Sequence, residues 1–354
     1  MNTFKGKLHE TAVKFPNTHI WMDSCGEVEL DYALERGCVG ATSNPAIVGA
    51  VIKQELTKWQ ARIKDMAAQR KDITEDDIAY GIIYEMGVER SEKLLPIFDE
   101  FKGKKGRLSI QTNPKYYRDA GKMIEQANIL NSLGRNMQVK MPASEAGIKA
   151  MEEATYKGIS INATVSFTVA QAVAVAEAVE RGLKRRAAEG LPTEEMSPVC
   201  TIMIGRTDDW LKKYTNDNDI LVDPECLEWA GLAVMKEAYR IYKERGYRTR
   251  LLSAACRNHH HWSQLIGGEL SMTIPYNWHL KINACDVEVK SRIDEPIKPE
   301  YMNELNKLSE FKKSFDENGM TPAEFEKYGG FRATVAGFIS GYDDLVKLVR
   351  GYMI

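Results

Sequence analysis

Short apolar segments alternate along this chain with longer segments whose apolar residues recur at three- and four-residue spacing. The first kind reads as strands and the second as helices, and their alternation predicts repeated strand-helix units around a parallel sheet. Strands are expected near 18–23, 38–43, 107–111, 136–141, 159–165, 199–205, 249–254 and 269–274, eight in all, which fits one closed (β/α)8 TIM barrel. Helical spacing with few breakers covers 27–37, 116–133, 144–156, 168–188 and 223–246, and the Ala- and Val-rich 168–188 is the clearest. Gly158 is placed to cap the helix that ends near 156.

Residues 46–105 are too long for one crossover and carry two helical patterns, 48–69 and 75–101, split by the polar turn Arg70-Lys71-Asp72. This stretch reads as a helical insertion after the second strand. From 296 onward, Pro299, Pro322 and Gly329-Gly330 punctuate a tail that reads as helices packed on the outside of the barrel or across its mouth. Residues 1–354 are thus expected to form one barrel domain with an insertion at 46–105 and an extension at 296–354. No internal repeat or low-complexity tract breaks the pattern.

With 354 residues, 44% of them hydrophobic and 28% charged, the chain can bury a full core, which excludes a disordered or fibrous protein. Its 48 basic and 50 acidic residues are intermixed, so neither a nucleic-acid groove nor a polybasic membrane anchor is expected. There is no run of 18 apolar residues, and Met1 to Phe15 lacks the apolar core of a secretory signal, which predicts a soluble cytoplasmic protein. The six cysteines show no C-x-x-C spacing and are expected to be reduced thiols.

Functional groups in such a barrel lie at the C-terminal strand ends and in the loops that follow. Those places carry Asp23, Thr42, Asn44, Gln111, Lys140, Asn162, Thr164, Thr201, Arg206 and Arg257. An acid, a lysine, two asparagines and two arginines converging on one mouth suit a polyhydroxylated, anionic carbonyl compound. In Met137-Gln138-Val139-Lys140-Met141 the two-residue period sends Val139 and Met141 to one face and Lys140, with Gln138, to the other. An enclosed lysine has a lowered pKa and a free lone pair for attack on a carbonyl, which is what Schiff-base catalysis requires.

Each residue taken singly has a plainer explanation. Asp23 can cap helix 27–37, Asn44 can start a turn before Pro45, and Asn162 with Thr164 can be an inward hydrogen-bonded pair. Arg206 can pair with Asp208 or Asp209, and Lys140 can reach to solvent. Repeated placement at strand ends is what argues for a site. His259-His260-His261 is a different case: adjacent histidines on a loop rarely converge, so no metal is expected there.

Six segments occur in the order found in transaldolases: Trp21-Met22-Asp23, Ala41-Thr42-Ser43-Asn44-Pro45-Ala46-Ile47, Val139-Lys140-Met141-Pro142-Ala143, Ile161-Asn162-Ala163-Thr164, Ile204-Gly205-Arg206 with Asp209-Trp210, and Arg257-Asn258. The chain resembles that family from about Ile20 to about Pro275. The resemblance implies that Lys140 is the Schiff-base lysine and Asp23 the acid-base residue that takes the proton from the C4 hydroxyl of a ketose phosphate. It implies that Asn44 and Asn162 hold substrate hydroxyls, and that Thr164 positions a catalytic water. Arg206 and Arg257 are similar to the family's phosphate clamp. The imine is the electron sink, so no metal or organic cofactor is implied.

Two positions depart from that pattern, and a third departs from the pattern of related aldolases. Gln111 in Ser109-Ile110-Gln111-Thr112 stands where transaldolases usually carry a glutamate, and glutamine cannot ionise to accept a proton. The related fructose 6-phosphate aldolases, which release dihydroxyacetone, have glutamine there, but they place a tyrosine where this chain has Met203. Ala255 replaces the serine that usually joins the clamp. The leading expectation is transfer of a dihydroxyacetone unit from a ketose phosphate such as fructose 6-phosphate to an aldose phosphate, in pentose-phosphate-type carbohydrate metabolism. The alternatives are a lyase that releases dihydroxyacetone and a barrel that only binds sugar phosphates. The expected partners are small sugar phosphates, with a homodimer suggested by analogy to other barrels, and neither nucleic acid nor membrane.

Overall fold

In the computed structural model, residues 4–354 are described. Eight strands close a barrel in chain order: β1 (His19–Met22), β2 (Cys38–Thr42), β3 (Arg107–Gln111), β4 (Met137–Pro142), β5 (Ile161–Ser166), β6 (Val199–Ile202), β7 (Arg250–Ser253) and β8 (Ser271–Ile274). Every neighbouring pair is parallel, including β8 with β1, so the chain is a (β/α)8 barrel. All but the two ends of this cylinder is closed to water. Strand residues such as Val139, Met141, Ile161 and Ala163 point outward into the helix layer, and their sequence neighbours fill the interior.

The outer layer starts with α1 (Lys7–Lys14) and α2 (Glu27–Leu34). Between β2 and β3 come α3 (Pro45–Gln54), α4 (Leu56–Gln69), α5 (Glu75–Glu92) and α6 (Leu95–Glu100). Then follow α7 (Ala120–Ser132), α8 (Glu145–Tyr156), α9 (Val169–Ala188), α10 (Ile204–Asp217), α11 (Pro224–Leu227), α12 (Ala230–Arg245), α13 (His260–Ser263) and α14 (Tyr276–Ala284). The tail forms α15 (Pro299–Leu305), α16 (Ser309–Phe315) and α17 (Gly329–Met353). Local chemistry sets several of these ends. Ser144 and Thr168 accept the Gly147 and Gln171 N–H groups at the starts of α8 and α9, and Thr74 with Asp77 closes a capping box on α5. Gly158 takes φ +87° just after α8, the left-handed cap that its position predicts.

Four elements differ from the sequence expectation: the patterns over 48–69 and 75–101 each divide into two helices, α3 with α4 and α5 with α6, and two further differences lie nearer the mouth. Strand β6 stops at Ile202, so Ile204-Gly205-Arg206 is the first turn of α10 and not a strand end. Met203 leaves extended geometry, and the Arg206 and Thr207 N–H groups both fold back on its carbonyl at 2.9 and 3.1 Å. The helical pattern over 223–246 is broken at Glu228-Trp229, because the buried carboxylate of Asp208 accepts the Gly231 N–H at 2.8 Å and starts α12 afresh. Apolar spacing continues across that break, which is why the sequence does not reveal it.

The insertion and the tail both reach the barrel mouth. Arg90 of α5 is fully buried; its Nε donates to the Cys25 carbonyl at 3.0 Å, and its guanidinium pairs with Glu55 at 2.5 Å and Glu89 at 2.6 Å. Glu55 in turn accepts the Glu27 N–H at 2.9 Å, so the loop after β1 hangs from the insertion. Helix α17 runs across the other side of the mouth, touching α3, α5, α10 and the end of β5. Its Phe331, Val335 and Phe338 pack with Val165, Phe167 and Met203 at the ends of β5 and β6. Ion pairs Arg350 to Glu75 at 2.5 Å and Lys115 to Asp343 at 2.7 Å fasten it to α5 and to the loop after β3.

Arg90→Met should lower the unfolding free energy by ~2 kcal/mol in urea titrations. That is less than for a wholly buried pair, because Glu55 and Glu89 retain 18% and 36% exposure. An unchanged midpoint would mean that the insertion does not hold the loop after β1.

Candidate active site

Register places Gln111, Lys140 and Asn162 side by side on β3, β4 and β5. One step lower inside the barrel, Ser109 donates to Gln138 Oε1 at 2.6 Å, and Gln138 Nε2 donates to the Ser197 carbonyl at 2.8 Å. Asn162 Nδ2 donates to Ser109 Oγ at 3.0 Å, and Thr201 Oγ1 donates to Asn162 Oδ1 at 2.6 Å. These buried polar groups thus satisfy one another, which is the condition for keeping them in a dry barrel. Thr201 lies inside this network with its hydroxyl committed.

Lys140 sits on top of the network, 4% exposed, and among the described residues it forms no ion pair. Burial pushes its pKa below the ordinary lysine value and Arg206 adds to the fall, while the nearby Asp23 carboxylate acts the other way. Asp23 continues the line of β1, its N–H held by the Ile274 carbonyl of β8 at 3.0 Å. Thr42 Oγ1 donates to Asp23 Oδ1 at 2.7 Å and lies 2.7 Å from Thr273 Oγ1, so Thr42 is buried and orients the acid. Gln111 is buried as well, and its Oε1 has no hydrogen-bond partner, an acceptor left open beside Lys140. Asn44 caps α3 by accepting the Ile47 N–H at 3.0 Å through Oδ1, which leaves its amide NH2 as the group that can serve the mouth.

Around the rim, Arg206 is half-buried, with its guanidinium 5.5 Å from the centre of the Phe338 ring. Burial lowers its pKa, and the neighbouring Arg257 lowers it further. Arg257 is exposed and forked onto Asp209, at 3.0 Å from Nε and 2.8 Å from Nη2. Neither arginine pairs with Asp208. That carboxylate instead meets His261 Nε2 at 2.9 Å in a wholly buried contact. The three consecutive histidines do not converge: the His259 and His260 rings lie 4.0 Å apart, tilted by 39°, His260 lies against Trp229 at 4.6 Å, and His261 turns inward. Among the described residues no three His, Cys, Asp or Glu side chains are grouped to hold a metal ion.

Thr164 is buried at the end of β5, and its Oγ1 finds only the Met203 thioether at 4.0 Å. The next residue, Val165, has φ +54°, a conformation that a β-branched side chain rarely adopts. Gln171, buried on α9, secures it: Nε2 donates to the Val165 carbonyl at 3.1 Å and to the Ala143 carbonyl at 3.0 Å, tying the ends of β5 and β4 together. Gln171 and the Asp208–His261 pair escape sequence reading, since each acts through partners distant along the chain or on the backbone.

Residues 20–327 match the family described as Transaldolase/Fructose-6-phosphate aldolase. The chain belongs to this family. A transaldolase from Acidothermus cellulolyticus is 28% identical over 240 residues, and one from Thiobacillus denitrificans is 29% identical over 234. "Transaldolase 2" of Streptomyces avermitilis is 29% identical over 236 residues. These matches take in 63–64% of this chain and 62–64% of each relative, so less than two thirds of the relatives' own length is spanned.

Within this transaldolase/aldolase barrel, Ala255 lies just beyond β7 and Met203 just beyond β6. Ala255 has φ +64°, and its carbonyl oxygen sits 1.8 Å from where a Cβ on Gly205 would be, so only glycine lets α10 start against this loop. Met203 belongs to the apolar cover under α17. Among the described residues no helix is long and apolar enough to cross a membrane.

A buried lysine with a lowered pKa binds fewer protons folded than unfolded. Its penalty is therefore complete below the folded pKa and fades as pH rises toward the ordinary lysine value. Lys140→Met should accordingly be more stable than the wild type at neutral pH, with the gap closing in alkali. Urea midpoints from pH 7 upward, in steps of about one unit, check this. A constant gap would mean that the Lys140 pKa is the same in the folded and unfolded protein.

Proposed function

We propose that this protein is a Schiff-base transaldolase that moves a dihydroxyacetone unit between sugar phosphates. The observation that carries the reading is a buried, unpaired Lys140 of lowered pKa that shares one barrel mouth with Asp23 and two arginines. The Lys140 amine attacks the C2 ketone of a ketose phosphate, and loss of water leaves a protonated imine. Asp23, aligned by Thr42, accepts the C4 hydroxyl proton as the C3–C4 bond breaks. The bond electrons enter the imine, an enamine stays on Lys140, and an aldose phosphate departs. The reverse steps join the three-carbon unit to a second aldose phosphate.

Both departing and arriving aldoses carry a terminal anion, and Arg206 with Arg257 supplies charge for it. The anion displaces Asp209 from Arg257, while Arg206 already lacks a carboxylate partner among the described residues. Asn162 and the free amide of Asn44 donate to substrate hydroxyls, and Thr164 with Gln111 faces the reacting carbons. Val165, Phe167, Met203, Phe331 and Phe338 give the mouth an apolar side beneath α17. Poor water access there favours transfer over hydrolysis of the intermediate. Release of free dihydroxyacetone is the second reading, and it rests on Gln111, whose open Oε1 suits a bound water.

Incubation with fructose 6-phosphate, borohydride reduction and peptide mapping should find a three-carbon adduct on Lys140. In Asp23→Asn the adduct should be mainly six-carbon, because the imine forms but the C3–C4 bond holds. No adduct in the wild type, or one on another lysine, would sink the proposal.

Gln111→Glu supplies an ionisable group at the water position, so the ratio of transfer to dihydroxyacetone release should change several-fold toward transfer. Product analysis with an aldose phosphate acceptor measures it, and an unchanged ratio would remove Gln111 from the partition of the intermediate.

A further inference from the structure

The loop that carries Arg257 is held through side chains: Arg257 forks onto Asp209, Asn258 Nδ2 donates to Glu228 Oε2 at 2.8 Å, and Asn258 Oδ1 accepts the His261 N–H at 3.3 Å. It leaves β7 through Ala255 in the left-handed region, and the Arg257 side chain is exposed. One side-chain contact to its backbone stands out: the Arg257 N–H donates to His261 Nδ1 at 3.2 Å. With Nδ1 accepting, the ring proton lies on Nε2 and is given to Asp208 Oδ2 at 2.9 Å. Asp208 Oδ1 accepts the Gly231 N–H at 2.8 Å. The chain of contacts Arg257–His261–Asp208–Gly231 therefore joins the loop after β7 to α10 and to the start of α12. Asp208 stands two residues after Arg206 on α10 and is fully buried, and His261 is 2% exposed. Gly205 completes the junction, for its missing side chain lets the first turn of α10 rest on the Ala255 carbonyl.

We propose that His261 is a positioning residue for anion binding: held by Asp208, it accepts the Arg257 N–H and so sets Arg257 beside Arg206. This rests on the reading of the two arginines as the terminal-anion anchor. The two ring nitrogens have separate tasks. Nδ1 holds the loop, and Nε2 satisfies a carboxylate that is buried and costly to leave unpaired. A glutamine amide at this position reaches the place of Nε2, and an asparagine amide reaches the place of Nδ1, so the tasks are separable by substitution.

The test titrates borohydride-trapped adduct on Lys140 against fructose 6-phosphate and, separately, against dihydroxyacetone, which has no anion. Urea midpoints are recorded for the same proteins. His261→Gln keeps the donor to Asp208 and loses the acceptor for the Arg257 N–H. Its half-saturation by fructose 6-phosphate should rise ~5-fold, that by dihydroxyacetone should stay within about 2-fold, and its urea midpoint should stay close to wild type. His261→Asn keeps an acceptor near the loop and abandons Asp208, so its urea midpoint should fall while half-saturation by fructose 6-phosphate stays near wild type. Unchanged fructose 6-phosphate saturation in a folded His261→Gln overturns the proposal. An equal rise for both ligands also overturns it, since the effect would then concern the whole mouth. No adduct in the wild type with either ligand brings down the reading of the site and this inference with it, an outcome distinct from failure of His261 alone.

Discussion

The cost of taking the Lys140 amine out of water governs how this barrel is built. A closed parallel cylinder leaves no edge through which solvent can reach its interior, so each inward polar side chain needs a partner within it. Gln138, Ser109, Asn162 and Thr201 meet that need with one connected set of hydrogen bonds just below the lysine. Lys140 itself stands above the last satisfied layer, in contact with the field of one carboxylate and one guanidinium and bonded to neither. Its amine is therefore easier to deprotonate than an exposed one, and this is the property that carbonyl chemistry uses.

The surrounding elements keep that environment dry and the acid in place. Arg90 binds the carbonyl of Cys25, two residues beyond Asp23, and draws its own charge balance from Glu55 and Glu89. Helix α17 covers the opposite side with aromatic rings and is fastened to α5. The insertion and the tail, which look like separate additions along the chain, thus meet each other across the mouth. Strained backbone at Val165 lies beneath α17 and at Ala255 against the start of α10, and Gln171 and Gly205 are the residues that accommodate it.

Charge at the rim is arranged in a similar economy. Burial and the neighbouring Arg257 lower the pKa of Arg206; Asp209 forms its ion pair with Arg257, and its charge, like that of Asp23, reaches Arg206 only without direct contact. In the proposed reading, an anion bridging the two arginines relieves the repulsion between them, so the pair would favour an anionic ligand beyond what each arginine supplies alone. With Ala255 in the loop there is no side-chain hydroxyl at that position, so backbone placement of the arginines matters more here.

Much was legible in the sequence because two periodicities and one spatial rule carry it. Strict alternation in β4 is enough to turn Lys140 inward, and alternation of strand and helix patterns is enough for eight parallel strands. Residues at strand ends, from Asp23 to Thr164, were accessible by the same rule. Tertiary structure decided what depends on partners far apart along the chain. Whether Asp208 would meet Arg206 or His261 is a matter of how α10 lies on the loop after β7, and apolar spacing says nothing about a polar pair 53 positions apart. The break before α12 has the same origin, because its cap comes from another helix. Local sequence determined which residues face inward; long-range packing determined which of them touch, because a hydrogen bond needs distance and angle that one-dimensional period does not encode.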